Sequence, residues 1–129
     1  FMVLSIHTDQ APAVIGPYVQ ACRAGSLVFI SGQLGIDMET GLLGSTPEAQ
    51  MKLAMKNIGA VLAAAGCTFN DVAKTTIFLT DMDSFPSVNE IYASFFSHHL
   101  PARSCIEVTR LPKGGLVEVE CTAEAPHES

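Results

Sequence analysis

Two stretches hold the side chains best suited to chemistry on a small molecule. They are Pro101-Ala102-Arg103-Ser104-Cys105-Ile106-Glu107-Val108 and, after a short turn, Val117-Glu118-Val119-Glu120. With the two-residue alternation of a strand, Arg103 and Cys105 share one face, and Glu118 and Glu120 share one face of the next strand. A guanidinium offers a planar fork of donors that grips a carboxylate in two places. A carboxylate nearby orients or activates a water. Together they describe a site for a small acid that reacts with water without a metal. The plainer readings are a salt bridge from Arg103 to Glu107 or Glu120, and a solvated strand-face carboxylate at Glu118. By spacing alone the second is the better reading of Glu118.

The elements that must hold these residues follow from the hydrophobic pattern. Residues 17–24 and 26–32 read as two strands around Ala24-Gly25-Ser26, a hairpin signal. The second, Leu27-Val28-Phe29-Ile30, is a continuous apolar run that ends in Ser31-Gly32, where a backbone can approach a ligand closely. Residues 35–44 read as a loop, with a turn at Glu39-Thr40-Gly41. A helix begins at Thr46-Pro47-Glu48, a capping residue followed by proline and a favourable acid. Met51, Met55, Ile58, Val61, Leu62 and Ala65 form its core stripe, and Gly66 stops it. Residues 71–80 are strongly β-prone. Residues 81–84 cap a second helix, with Pro86 in its first turn and Phe85, Val88, Tyr92, Phe95 and Phe96 on its apolar face. Residues 102–110 and 116–124 are strands joined through Leu111-Pro112-Lys113-Gly114-Gly115.

The order is β-β-α-β-α-β-β, an α+β fold in a single domain over residues 1–129. Two helices are too few to cover both faces of a sheet of five or six strands, so they cover one. If the branched residues face the helices, then Ile106 and Val108 point inward. Arg103, Cys105, Glu107, Glu118 and Glu120 then point to the helix-free side, where a functional or inter-subunit surface is expected.

Composition narrows the classes. Of 129 residues, 48% are apolar, and the mean hydropathy is +0.32. That is more apolar side chain than a chain of this size readily hides, so a homo-oligomer is expected. The formal charge of −6, without a basic run, disfavours nucleic acid as a partner. No apolar run is long enough to span a membrane, and no secretory leader is visible. Cys22, Cys67, Cys105 and Cys121 form no C-x-x-C pair and do not cluster with histidine at zinc spacing, so no metal site is expected. Adjacent His98 and His99 point in different directions. Reduced thiols fit a cytoplasmic protein, an organelle not being excluded.

Several motifs in register carry a resemblance. Ile15-Gly16-Pro17-Tyr18-Val19-Gln20-Ala21, Ser31-Gly32-Gln33, Lys74-Thr75-Thr76-Ile77-Phe78-Leu79 and Val88-Asn89 with Tyr92 resemble the RidA/YjgF family of reactive-intermediate deaminases, also described as endoribonuclease L-PSP-like. So do residues 101–108 and Arg110-Leu111-Pro112-Lys113. The match runs from about residue 10 to residue 124. It implies a chorismate-mutase-like mixed sheet and a homotrimer with ligand sites in the clefts between subunits. It also implies cofactor-free hydrolysis of 2-imino and 2-enamino acids, such as 2-iminopropanoate and 2-iminobutanoate, to 2-oxo acids and ammonia.

On this resemblance Arg103 holds the substrate carboxylate and Glu118, rather than Glu120, orients the water. Tyr18, Ser31, Gly32, Asn89 and Cys105 line or close the pocket. Cys105 reads as a neutral thiol rather than a nucleophile, since hydrolysis of an activated imine needs no covalent step. Asn89 can equally support a helix start or a neighbouring subunit. Two other functions stay open: a ligand-binding or regulatory trimer without turnover, and a ribonuclease-type translation inhibitor. One departure concerns residues 95–101, which are shorter than the family's usual connection and bear on substrate breadth.

Overall fold

A computed structural model describes residues 2–126. Six strands form one mixed sheet: β1 (Leu4–Ile6), β2 (Ala21–Ala24), β3 (Leu27–Leu34), β4 (Val72–Leu79), β5 (Ala102–Glu107) and β6 (Val117–Glu124). Their spatial order is β1-β2-β3-β6-β4-β5. The β4–β5 pair is parallel and every other pair antiparallel. The last strand in sequence therefore lies at the centre, where it joins the two halves of the chain.

Two helices, α1 (Pro47–Ala64) and α2 (Phe85–Ala93), complete the α+β architecture. Thr46 caps α1 by accepting from Ala49 N, with Pro47 in its first turn. The helix gives way at Gly66, whose φ of 76° a side chain would strain, and the Cys67 amide returns to Leu62 O. Met51, Ala54, Met55, Ile58, Val61 and Leu62 are buried on its inner stripe, against β3 and β6. On β6, Val117, Val119, Cys121 and Ala123 are buried, while Glu118, Glu120 and Thr122 are not. This is the alternation of a strand with its apolar face under the helices.

The differences from the sequence reading lie at the margins. β1 was not expected, because Leu4-Ser5-Ile6 is too short a run to signal a strand; only Ile6 is half-buried, packed against the core. The first predicted strand shrinks to Ala21–Ala24 because Gly16, at φ 119°, turns the chain at residues 16–18. β3 continues through Ser31-Gly32 to Leu34, since the register shifts between Ile30 and Gln33 and a bulge absorbs the extra residue. α2 ends at Ala93, so Phe95 and Phe96 follow it and pack against Phe69, tilted and edge-on, with ring centroids 5.5 and 5.6 Å away. No helix of the described residues is long and apolar enough to cross a membrane.

Candidate active site

The bulge in β3 shapes one half of the site. Ser31 is fastened on both sides: its amide donates to Gln20 O, and its hydroxyl donates to Val19 O at 2.7 Å. Gly32 then leaves room for the side chain of Glu118 from β6. A Cβ at residue 32 would stand 2.7 Å from Glu118 Cδ and 3.0 Å from its Oε1. A cleft of about 680 Å³ opens here, and Tyr18, Ser31, Gly32 and Glu118 all line it. Tyr18 is half exposed at its rim. Burial of the Glu118 carboxyl, with the like charge of Glu120 as the lesser cause, raises its pKa above the ordinary 4.5. A carboxylate so placed holds and releases protons closer to neutral pH than a solvated one.

The second half centres on Arg103, on edge strand β5. Its guanidinium lies 5.3 Å from the Phe85 ring centroid and 5.2 Å from that of Tyr92, and Nη1 donates to Asn89 Oδ1. Asn89, Tyr92, Ala93, Leu100, Pro101 and Arg103 line a smaller cleft of about 400 Å³. The connection at residues 97–101 thus borders the arginine. Among the described residues Arg103 makes no salt bridge. Glu107 is committed elsewhere, accepting from Met82 N at 2.8 Å. The arginine therefore presents free donors to the cleft.

Strand register fixes how the halves relate. Residues paired across neighbouring strands share a face. Thr75 pairs with both Arg103 and Cys121, and Ile77 with both Cys105 and Val119. This face carries the buried Ile77 and Val119, under the helices. Phe78 pairs with both Ile106 and Glu118, which lie on the opposite, helix-free face. Arg103 and Glu118 are thus on opposite faces of one sheet. For β6 the expectation of outward carboxylates is met. For β5 it is reversed: Arg103 turns toward α2, and Ile106 is exposed. The reason is the aromatic shelf of Phe85 and Tyr92, which supplies a stack for the guanidinium that the helix-free face lacks.

The structure brings Tyr18, Ser31, Gly32 and Glu118 together, and Arg103 with Asn89. It places Cys105 in neither cleft: the side chain is half-buried beside the core, and burial raises its pKa despite the nearby Arg103. His99 is accounted for structurally, with Nε2 at 2.8 Å from Val72 O.

Sequence reasoning missed several supports. Gln20 is buried, accepts from Thr8 N at 2.7 Å and donates to Thr8 O and Pro12 O, holding the segment whose residues 12–15 wall the larger cleft. Asn57 Nδ2 donates to Leu34 O and Ile36 O, and Gln50 bridges Gly44 O and Leu116 N. For Gln50 and Asn57 the available signal was an amide at a core-facing helical position, where a buried polar group must find partners. Lys113, at φ 58°, also lines the cleft, in a Pro-Lys-Gly turn that reads from sequence only as a connection.

Comparison with known proteins places these features in context. Residues 8–125 match the family model described as Endoribonuclease L-PSP. A Mus musculus protein named 2-iminobutanoate/2-iminopropanoate deaminase is 50% identical over 121 residues, covering 92% of this chain and 88% of its own length. A Salmonella typhimurium protein of the same name is 44% identical over 125 residues, covering 95% and 98%. The crystal structure of E. coli TdcF with bound serine superposes with a TM-score of 0.90 at 41% identity, covering 95% of this chain and 98% of TdcF.

Proposed function

This chain belongs to the endoribonuclease L-PSP family, the RidA/YjgF group, and on that premise we propose that it hydrolyses small 2-imino and 2-enamino acids to 2-oxo acids and ammonia. The observation that carries this reading is an arginine without a carboxylate partner among the described residues, braced so that its remaining donors face a cleft. A bidentate grip on the substrate carboxylate would leave the imine carbon at a fixed distance for attack.

Glu118 supplies the complementary chemistry. Its carboxylate takes a proton from water as the oxygen bonds to the imine carbon. It returns that proton to nitrogen, giving a carbinolamine, and then relays the carbinolamine hydroxyl proton to the same nitrogen. The C–N bond breaks as the C=O forms, and ammonia departs from the new 2-oxo acid. Tyr18, Ser31 and Gly32 surround this step, and Asn89 acts through Arg103. The reaction needs only water and proton transfer, so we assign no cofactor.

Because Arg103 and Glu118 face opposite sides of one sheet, we assign the complete site to two copies, Arg103 from one subunit meeting Glu118 of its neighbour. Leu27, Phe29 and Ile106 are exposed on the helix-free face, which supports an assembly there. The RidA/YjgF resemblance gives this assembly as a homotrimer. Four free cysteines fit a reducing compartment, and we place the protein in the cytoplasm. The charge of −6 argues against RNA as substrate despite the family's description.

The test is ammonia release while an amino-acid oxidase or threonine dehydratase generates the imine. Acceleration by wild type, lost in Arg103→Ala and Glu118→Ala, is expected. An assembled wild type that gives no acceleration yet binds 2-oxo acids would move the assignment to a ligand-binding trimer.

A further inference from the structure

Three residues of α2, Phe85, Asn89 and Tyr92, stand at i, i+4 and i+7 and so form one stripe. All three meet the same arginine. Two rings flank the guanidinium at 5.3 and 5.2 Å, and the Asn89 carbonyl takes one of its N–H groups. Tyr92 differs from the other two in being almost wholly buried, at 4% exposure.

Its hydroxyl lies 2.7 Å from Thr75 Oγ1, in a contact closed to solvent. Thr75 is itself the β4 residue paired directly with Arg103 across the β4–β5 ladder. The connections therefore close on themselves: Arg103 to the Tyr92 ring, the Tyr92 hydroxyl to Thr75, and Thr75 through the ladder back to Arg103. Phe96 packs on the same ring at 5.0 Å. Burial keeps the phenol protonated. A ring held at its hydroxyl and on its flank can neither slide nor tilt.

We propose that Tyr92, tethered by Thr75, is a positioning residue for Arg103, fixing the plane of the guanidinium so that its free N–H fork meets the substrate carboxylate squarely. The inference rests on the deaminase reading above. A bidentate grip requires two N–H groups and two oxygens to be coplanar. On an exposed edge strand an unsupported arginine would sample many rotamers, and few of them are coplanar with the ligand. The closed loop selects the plane before substrate arrives. Tyr92 touches the arginine and need not touch the reacting atoms.

A looser alignment of the retained arginine weakens the carboxylate grip equally in ground and transition states, so it raises KM and leaves kcat in place, whereas removing the arginine also frees the imine carbon from its distance for attack. Thr75→Val and Tyr92→Phe cut the tether and keep the ring. Each should raise KM for the imine roughly threefold, and Tyr92→Leu, which removes the stack, about tenfold, with kcat within about a factor of two. Binding of pyruvate should weaken in the same order. In an Arg103→Ala background, Tyr92→Leu should change nothing further, since a residue acting through Arg103 has nothing left to act on.

If Tyr92→Leu does not fold, Thr75→Val and Tyr92→Phe still carry the test. Unchanged KM with lowered kcat, or a full further loss in the Arg103→Ala background, would overturn the proposal and leave a merely structural tyrosine. An Arg103→Ala protein with wild-type KM and kcat would overturn it differently, by removing the deaminase reading beneath it.

Discussion

Gly32 and Glu118 compete for one volume: the Cβ that any other residue would bring to position 32 falls 2.7 Å from Glu118 Cδ. The obstructed atom is the end of a flexible side chain rather than backbone. A substitution is therefore relieved by swinging the carboxylate aside, and the sheet is left in place. Gly32→Ala should lower kcat on the order of 10²-fold, as for other small misplacements of a catalytic group. The melting temperature should fall by roughly 5 °C or less. Steady-state kinetics paired with thermal unfolding would separate the two. A large stability loss with proportionate activity would show that the glycine serves the bulge and not the carboxylate.

The raised pKa of Glu118 gives the reaction a predicted pH profile. As the base, Glu118 must be ionised, so kcat should fall on acidification, with a midpoint above 4.5. Glu120 contributes to the shift through its like charge. Glu120→Gln should therefore move the acidic limb to lower pH, and a limb that stays put would assign it to another group. Stability runs the opposite way. The folded chain holds this proton more tightly than the unfolded chain, so between 4.5 and the raised value the native state binds more protons. The contribution of this group to stability falls as pH rises through that window. Denaturant midpoints of wild type and Glu118→Gln should diverge there, with wild type losing relative stability toward neutral pH.

Gln20 couples the N-terminal segment to the cleft. One side chain makes four hydrogen bonds, with Thr8 N, Thr8 O, Ala11 O and Pro12 O. Removing it strands several partly buried backbone groups, at a cost of about 2–3 kcal/mol. Gln20→Ala should lower the unfolding free energy from urea titration by that amount and speed amide exchange at Thr8. Residues 12–15 wall the larger cleft, so KM should rise as well. Thr8 exchange as slow as in wild type would show that the segment is held by other contacts.

Much of this arrangement is legible in the sequence. The capping Thr46, the spacing of Met51, Met55, Ile58 and Leu62, and the strict alternation of Val117 to Ala123 each reflect a strong burial gradient, and each predicts its element. Legibility fails where the gradient fails. β5 is an edge strand exposed or half-exposed on both faces, so Ile106 against Arg103 says nothing about which side is inward. The answer depends on Phe85 and Tyr92, which read as ordinary core on their own helix and become a shelf only once α2 lies beside β5. β1 escapes because three residues, with only Ile6 half-buried, are too short a run to show an inward face. Of the seven candidate residues six line one cleft or the other and Cys105 lines neither; their division between the two faces was not legible, because strand register between β4, β5 and β6 is a long-range property.

That division yields the sharpest test of the assembly. If one subunit supplied both groups, a mixture of Arg103→Ala and Glu118→Ala chains would stay inactive, since every chain lacks one of them. If Arg103 of one subunit meets Glu118 of the next, mixed assemblies regain intact sites wherever a Glu118→Ala subunit offers its arginine to the glutamate of an Arg103→Ala subunit. Random mixing in equal amounts makes about a quarter of the sites intact, because two independent even choices must both fall correctly. Unfolding the two variants together and refolding them should restore about that fraction of wild-type ammonia release. Simple mixing without subunit exchange should restore none. A refolded mixture that stays inactive while forming mixed assemblies would place both residues of each site in one subunit, against the opposite faces on which Thr75 and Phe78 hold them.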